Sequence, residues 1–116
     1  MDYRDYFDVT TTDIIFYDSL LKGKEKYWKE KKLTHEIVEM KPDEYIEKCT
    51  VVNGCSVDEV LSMVYKPRVE EMLKVIKVNK FPLMFIDYSS NGQEGRHRAV
   101  VAKELGLQLI PVMIIK

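Results

Sequence analysis

The sequence contains little of what marks a secreted or membrane-bound protein. Its 116 residues include two cysteines, Cys49 and Cys55, and no Cys-X-X-Cys pair. The first residues are acidic and polar, without the apolar segment of a secretory signal, and the longest apolar run, Ile110–Ile115, is far too short to span a bilayer. These absences predict a cytoplasmic location, reduced thiols and no membrane association.

A strong overall charge is also missing. The formal net charge is -1, so no global field attracts nucleic acid or an anionic membrane. The only strongly basic segment is residues 22–32, where six lysines and two glutamates give a local charge of +4. The chain is 46% hydrophobic and 32% charged, which is typical of a globular protein, and its length suits one domain.

The apolar pattern indicates one compact domain with a helical arm at its N-terminus. Apolar or β-branched runs in the domain predict strands at residues 36–40, 82–87 and 110–115. Asn-Gly at residues 91 and 92 predicts a tight turn after the second of these strands.

Capping signals predict four helices in the domain. One begins at Pro42 and ends near Cys49, and a second begins after Ser56, whose spacing to Glu59 is that of a capping box. A third begins at Pro67. The fourth spans residues 99–105 and is ended by Gly106 in the C′ position. In the second helix we expect Val60, Leu61 and Val64 to face the core.

The segment Glu94-Gly95-Arg96-His97-Arg98 places three basic side chains at a helix start. A helix N-terminus already carries about half a positive charge, so each cation there is unfavourable by roughly 0.3–1 kcal/mol. A phosphate would reverse this, because it accepts hydrogen bonds from the free N–H groups and from guanidinium groups. Gly95 lets the backbone approach a ligand closely. The segment therefore predicts an anion site.

Helical geometry separates the two arginines of this segment. Arg98 lies on the core-facing stripe of the helix, whereas Arg96 lies nearly opposite and is free to reach a ligand. A purely structural alternative for Arg98 is a buried arginine that a carboxylate of Asp87, Glu39 or Glu94 holds in place.

The C-terminal part of the chain resembles the ParB/sulfiredoxin-like domain superfamily. The resemblance rests on Gly-Arg-His-Arg-Ala at residues 95–99, preceded by an Asp-ended strand, and on the Leu-Gly and Ile-Pro-Val that follow at residues 105–106 and 110–112. The resemblance covers roughly residues 35–116, which we take as the domain, and leaves residues 1–34, the N-terminal helical arm, without a counterpart. The upstream segment at residues 38–45 resembles the opening of a small, often phage-encoded or bacterial subgroup with a Glu-Gly-Arg-His-Arg-Ala box. The resemblance implies an α+β fold with a small mixed sheet flanked by helices.

In this superfamily the box binds nucleotide phosphates: ATP in sulfiredoxin, CTP in ParB, and adenine nucleotide in free-serine kinases. The resemblance implies that Gly95, Arg96, His97 and Arg98 contact phosphate, with Glu39 near the site. Candidate ligands are ATP, ADP or CTP with Mg²⁺, and no residue spacing indicates a protein-bound metal.

Arg96 stands where sulfiredoxin has its nucleophilic cysteine, so sulfiredoxin-type reduction is excluded. ParB commonly has a glutamate at this position, so the details of its CTP chemistry do not transfer either. Glu94 and His97 are the candidate catalytic residues for nucleotide hydrolysis or phosphoryl transfer, with Asp87 as a further carboxylate. The structural alternative for His97 is a surface or packing residue.

Two other classes of function stay open. Residues 22–32 interleave Tyr27 and Trp28 with lysines, which suits a nucleic-acid-binding module. The alternative is a solvated helix whose Trp28 packs against the domain. The third class is a non-catalytic protein-interaction module, which predicts no effect of nucleotides on stability.

Overall fold

The computed structural model describes residues 2–8, 26–76, 78–81 and 83–116. The predicted N-terminal helix, with apolar residues at positions 14–21, lies outside the described residues.

A four-stranded mixed sheet forms the centre of the domain. Its strands are β1 (His35–Met40), β2 (Met84–Asp87), β3 (Gly92–Glu94) and β4 (Ile110–Ile115), in the order β1-β4-β2-β3. The central pair, β2 and β4, is parallel, and each edge strand runs antiparallel to its neighbour. The predicted α+β class with a small mixed sheet is confirmed.

Helices precede and connect the strands. Among the described residues they are, in chain order, a 3₁₀ turn (Tyr3–Asp5), α1 (described over residues 26–30), α2 (Pro42–Asn53), α3 (Val57–Ser62), α4 (Lys66–Val75) and α5 (Arg96–Glu104). Among them, α5 connects the antiparallel β2–β3 pair to β4.

The predicted capping residues define most of these boundaries. Pro42 opens α2, which runs four residues beyond the expected end at Cys49 and ends at Gly54 with a left-handed φ of 65°. The capping box of α3 is complete, because the Ser56 hydroxyl accepts from the Glu59 N–H and the Glu59 carboxylate accepts from the Ser56 N–H. Leu61 is 43% exposed, so its predicted inward position is wrong.

The last helix begins earlier than its apolar pattern indicates. α5 starts at Arg96 rather than at Ala99, and the predicted C′ glycine, Gly106, has a φ of 82°. The short strand β3 was not predicted. It forms because the tight turn at Asn91, with a φ of 53°, brings residues 92–94 alongside β2.

The main core lies between one face of the sheet and the helices. The buried cluster there combines strand residues such as Ile86 and Val112 with residues of all four helices from α2 to α5. Two residues of the N-terminal segment also belong to it. Phe7 is fully buried and packs edge to face on Phe81, and Tyr3 is buried beside them.

The opposite face of the sheet carries a smaller cluster built around Trp28. Its indole ring packs edge to face on Phe85, together with Met113 and Ile115. The predicted inward packing of Trp28 is therefore confirmed. The N-terminal arm therefore contributes buried side chains to both faces of the sheet, Tyr3 and Phe7 on one face and Trp28 on the other.

Candidate phosphate-binding site

Gly95 is the N-cap residue of α5 and is buried against β2. Its φ of 140° lies in the range that residues with a side chain rarely adopt. A Cβ atom at this position would lie 2.2 Å from Cγ of Met84. Packing alone therefore requires glycine here, whether or not a ligand approaches the backbone.

Arg98 is a structural arginine at the start of α5. Its side chain points toward the sheet and is only 8% exposed, and its guanidinium forms an ion pair with the carboxylate of Glu94. The pair ties the first turn of α5 to the last residue of β3. Of the three carboxylates expected as partners of Arg98, Glu94 forms the ion pair. The Glu94 carboxylate therefore helps to hold the start of α5 in place.

Asp87 lies at the other end of β2 from the Gly95 contact, about 10 Å along the strand. It is fully buried and accepts hydrogen bonds from the Trp28 indole and from both Ser89 and Ser90. Burial raises the pKa of Asp87, but these hydrogen bonds outweigh it and lower the pKa overall. Asp87 anchors the turn after β2 and is not part of the α5 helix start.

Glu39 is also separated from the α5 helix start. It lies on the edge strand β1, and two strands stand between it and β3, a distance of about 14 Å. Its carboxylate accepts a hydrogen bond of 2.9 Å from the Tyr3 hydroxyl. The expectation that Glu39 lies near the phosphate site is not met.

His97 joins the start of α5 to the start of α4. Its Nε2 atom accepts a hydrogen bond of 3.0 Å from the backbone N–H of Tyr65, which is the N-cap residue of α4. Burial lowers the pKa of His97, and the positive charges of Arg68 and Arg96 lower it further. The ring is therefore a neutral acceptor at Nε2 and holds two helix N-termini side by side.

The start of α4 has the same unusual charge as the start of α5. Its first turn carries Lys66 and Arg68 and no acidic residue, and Tyr65 provides no side-chain cap. The first turn of α5 likewise contains no acidic residue and has no side-chain cap. We call these two adjoining first turns, residues 66–68 and 96–98, the basic corner.

The basic corner was only half visible in the sequence. Residues 94–98 form a recognisable motif, whereas Lys66 and Arg68 belong to no motif and were not predicted to be part of a site. The signal that could have found them is the absence of an acidic residue from a first turn that proline marks as a helix start.

Arg96 lies at the surface of the basic corner. Its side chain is partly exposed, and its Nη1 atom lies 2.9 Å from the Met63 sulfur, just before α4. Tyr65, the N-cap residue of α4, is 67% exposed. An aromatic ring and a guanidinium group are thus both accessible where the two helices begin.

Two buried side chains of α2, Tyr45 and Cys49, have structural roles. Tyr45 is fully buried on α2, and its hydroxyl donates to the Gln93 side chain at 2.9 Å. Burial raises the pKa of Tyr45 well above its usual range and raises that of Cys49 to about 11. Cys49 is therefore a buried, protonated thiol, which is poorly suited to nucleophilic chemistry.

The basic segment can be followed from residue 26 onward, because Lys22 and Lys24 lie outside the described residues. Lys26 pairs with Glu30 at 3.9 Å, and the Lys31 ammonium lies 6.0 Å from the Tyr27 ring. Since Trp28 is buried, its ring is not available for stacking on a base. This part of the segment has the features of a solvated helix face.

No family model matches this sequence, and no curated protein or solved structure matches it either. Within residues 2–8, 26–76, 78–81 and 83–116, no three His, Cys, Asp or Glu side chains are grouped to hold a metal ion. In the same residues, no helix has the length and apolar character needed to cross a membrane.

Proposed function

We propose that the protein binds a phosphate-bearing ligand, a nucleotide, at the basic corner. The observation that carries this proposal is the hydrogen bond from the Tyr65 N–H to His97, which holds two uncapped, basic helix N-termini together. A helix N-terminus is a favourable position for an anion, and here two of them adjoin.

The electrostatics of the basic corner favour an anionic ligand. Lys66, Arg68 and Arg96 all stand in first turns, where each cation is unfavourable by roughly 0.3–1 kcal/mol at exposed positions. A phosphate group converts this repulsion into attraction, and an arginine can bind it through two parallel hydrogen bonds. The lowered pKa of His97, caused by burial and then by Arg68 and Arg96, is consistent with positive potential at this point.

The exposed Tyr65 ring supports a nucleotide rather than inorganic phosphate. Stacking of a base on an aromatic side chain contributes about 1–3 kcal/mol. Tyr65 immediately precedes the first turn of α4, so a base stacked on its ring can belong to the molecule whose phosphates lie at the helix starts. The candidate ligands are ATP, ADP and CTP with Mg²⁺.

We also propose that the domain is ParB/sulfiredoxin-like. The support is the sequence motif at residues 95–99 together with its position between the β2–β3 pair and a β4 strand parallel to β2. In this arrangement the motif opens the helix that connects two strands of one sheet.

The geometry supports binding more than turnover. Glu94 is paired with Arg98, and the Nε2 atom of His97 already accepts a hydrogen bond from Tyr65. A general base needs a free lone pair within reach of the proton that it removes. With His97 as the general base at Nε2, nucleotide hydrolysis or phosphoryl transfer therefore requires the hydrogen bond with Tyr65 to break on ligand binding. Glu94 keeps free carboxylate lone pairs, but its ion pair with Arg98 holds it in place.

A thermal-shift panel tests the proposal. ATP, ADP, CTP, GTP and inorganic phosphate are added with and without Mg²⁺ to the wild type, to Arg96→Ala and to Arg68→Ala. A ligand at about 100 times its dissociation constant adds roughly 2.7 kcal/mol, which is a shift of roughly 10 °C for a domain of this size. Arg4→Ala is the matched control. It removes the same charge, but Arg4 pairs with Asp2 near the N-terminus and is far along the chain from the basic corner.

A histidine titration by NMR gives an independent reading. The chain has two histidines, His97 in the basic corner and His35 at the start of β1. A bound phosphate should raise the pKa of His97, while the His35 ring resonances do not move when ligand is added. Nucleotide stabilisation that survives both arginine substitutions, or no stabilisation by any ligand, would contradict the proposal.

A further inference from the structure

A groove separate from the basic corner runs between α2, α3 and α5. It has a volume of about 530 Å³. Its floor is apolar and comes from all three helices, and the contributing side chains include Ile46, Leu61 and Val100. Leu61 and its neighbour Val57 are 43% and 40% exposed, although α3 has a well-formed cap and a buried Val60 on its other side.

Carboxylates surround this floor. Asp43 and Glu47 stand on the α2 side and Glu104 on the α5 side, against one lysine, Lys103. The Lys103 ammonium is bound to Asp43 at 2.8 Å, so its charge is offset within the rim. Among the described residues, Glu47 and Glu104 form no ion pair. The groove is therefore apolar at its base and negative at its edges.

The groove continues beyond the ion pair of Asp43 with Lys103. A second depression of about 530 Å³ shares Pro42, Asp43 and Lys103 with it and extends to Leu107 and Leu109; it also carries Lys41, so the excess of carboxylates is confined to the first groove. Leu109 is itself 41% exposed. The combined surface runs along the C-terminal part of α5, from Ala99 to Glu104, and continues to Leu109.

We propose that this groove binds a short, basic, amphipathic helical segment of a partner protein. An apolar groove between helices is the usual seat for an amphipathic helix, whose anchors recur at positions i, i+3 or i+4, and i+7. The negative rim favours a positively charged partner, because lysines and arginines beside the apolar side chains of the segment can form ion pairs with Glu47 and Glu104. The same carboxylates repel an acidic segment with the same apolar pattern, and a neutral segment gains no attraction from them.

Selection from a displayed library of random peptides tests the proposal with the full chain as bait. Peptides of about 16 residues are long enough for about four helical turns. The enriched peptides should carry net positive charge and apolar residues at helical spacing. Each is then measured by fluorescence anisotropy against the wild type, the double variant Glu47→Lys/Glu104→Lys and the matched control Glu70→Lys/Glu71→Lys.

The two double variants change the net charge equally, but the control pair lies on α4, outside the groove. We expect the groove pair to weaken binding about tenfold or more and the control pair to weaken it less than about threefold. Equal losses in both variants, enrichment of peptides without a positive bias, or no enrichment at all would overturn the proposal. Amide shifts that map away from Ile46, Leu61 and Val100 would overturn it as well.

Discussion

Replacing Gly95 with alanine tests whether packing, rather than a ligand, requires a glycine at the start of α5. The added Cβ would lie 2.2 Å from Cγ, 2.7 Å from Cβ and 2.9 Å from Sδ of Met84, all closer than real Cβ contacts. Met84 is fully buried in the central strand β2, so its side chain has little room to move away. The φ of 140° adds backbone strain that relaxation of Met84 does not relieve.

The two costs can be estimated separately. Overpacking in a close-packed core costs about 1–3 kcal/mol, and a side chain held in a sparsely populated backbone region costs about 1–3 kcal/mol. Gly95→Ala should therefore lower the free energy of unfolding by about 2–6 kcal/mol. At roughly 4 °C per kcal/mol, the melting temperature should fall by roughly 8–24 °C.

Two other glycines provide matched controls in urea and thermal unfolding. Gly54 and Gly106 also have positive φ, 65° and 82°, but a Cβ on either meets no atom within 4 Å. Their alanine variants should cost only about 1–2 kcal/mol. Met84→Ala also removes buried side-chain contacts, so the double variant Gly95→Ala/Met84→Ala should lose less stability than the sum of the two single variants. If Gly95→Ala is no worse than the two controls, or the double variant is strictly additive, the steric explanation is refuted.

Two further predictions concern pH. Burial raises the pKa of Asp87, but the hydrogen bonds that it accepts outweigh burial and hold the pKa below 3.8. The stabilising contribution of Asp87 is therefore present above about pH 4 and is lost as the pH falls. Asp87→Asn should reduce this loss of stability at acid pH, measured by urea unfolding between about pH 2 and pH 5, and should cost about 1–3 kcal/mol at neutral pH. The pKa of His97 lies below 6.5 because of burial and two neighbouring arginines, so stability should decrease as the pH falls through the folded-state pKa. His97→Gln should remove this dependence, and an unchanged slope would refute the assignment.

Local signals allowed much of the fold to be predicted. The capping box at Ser56, the proline at the start of α2 and the glycine after α5 were all readable, because each acts within a few residues of its own position. β4 matches its predicted bounds because a fully buried strand is a continuous apolar run.

The wrong predictions concern features that are determined by contacts between residues far apart in the sequence. β3 has only three residues and no apolar alternation, so it exists through its pairing with β2. Leu61 fits a helical stripe, but α3 is six residues long and leaves that side of the helix in the groove. Glu39 was expected near the α5 helix start, yet the strand order places β1 and β3 at opposite edges.

The five residues of the motif perform different physical tasks, which a motif alone cannot reveal. Gly95 is required by Met84, and Arg98 with Glu94 ties α5 to β3, so these residues maintain the fold. His97 reaches 32 residues back along the chain to Tyr65 and so brings Arg68 to the same corner as Arg96. Arg68→Ala should therefore remove nucleotide stabilisation while the domain stays folded, whereas Gly95→Ala should lower the melting temperature of the domain itself, with or without nucleotide. The phosphate contacts that the resemblance implies lie at residues 95–98 and give no role to Arg68, so the Arg68 variant distinguishes the two explanations of the motif.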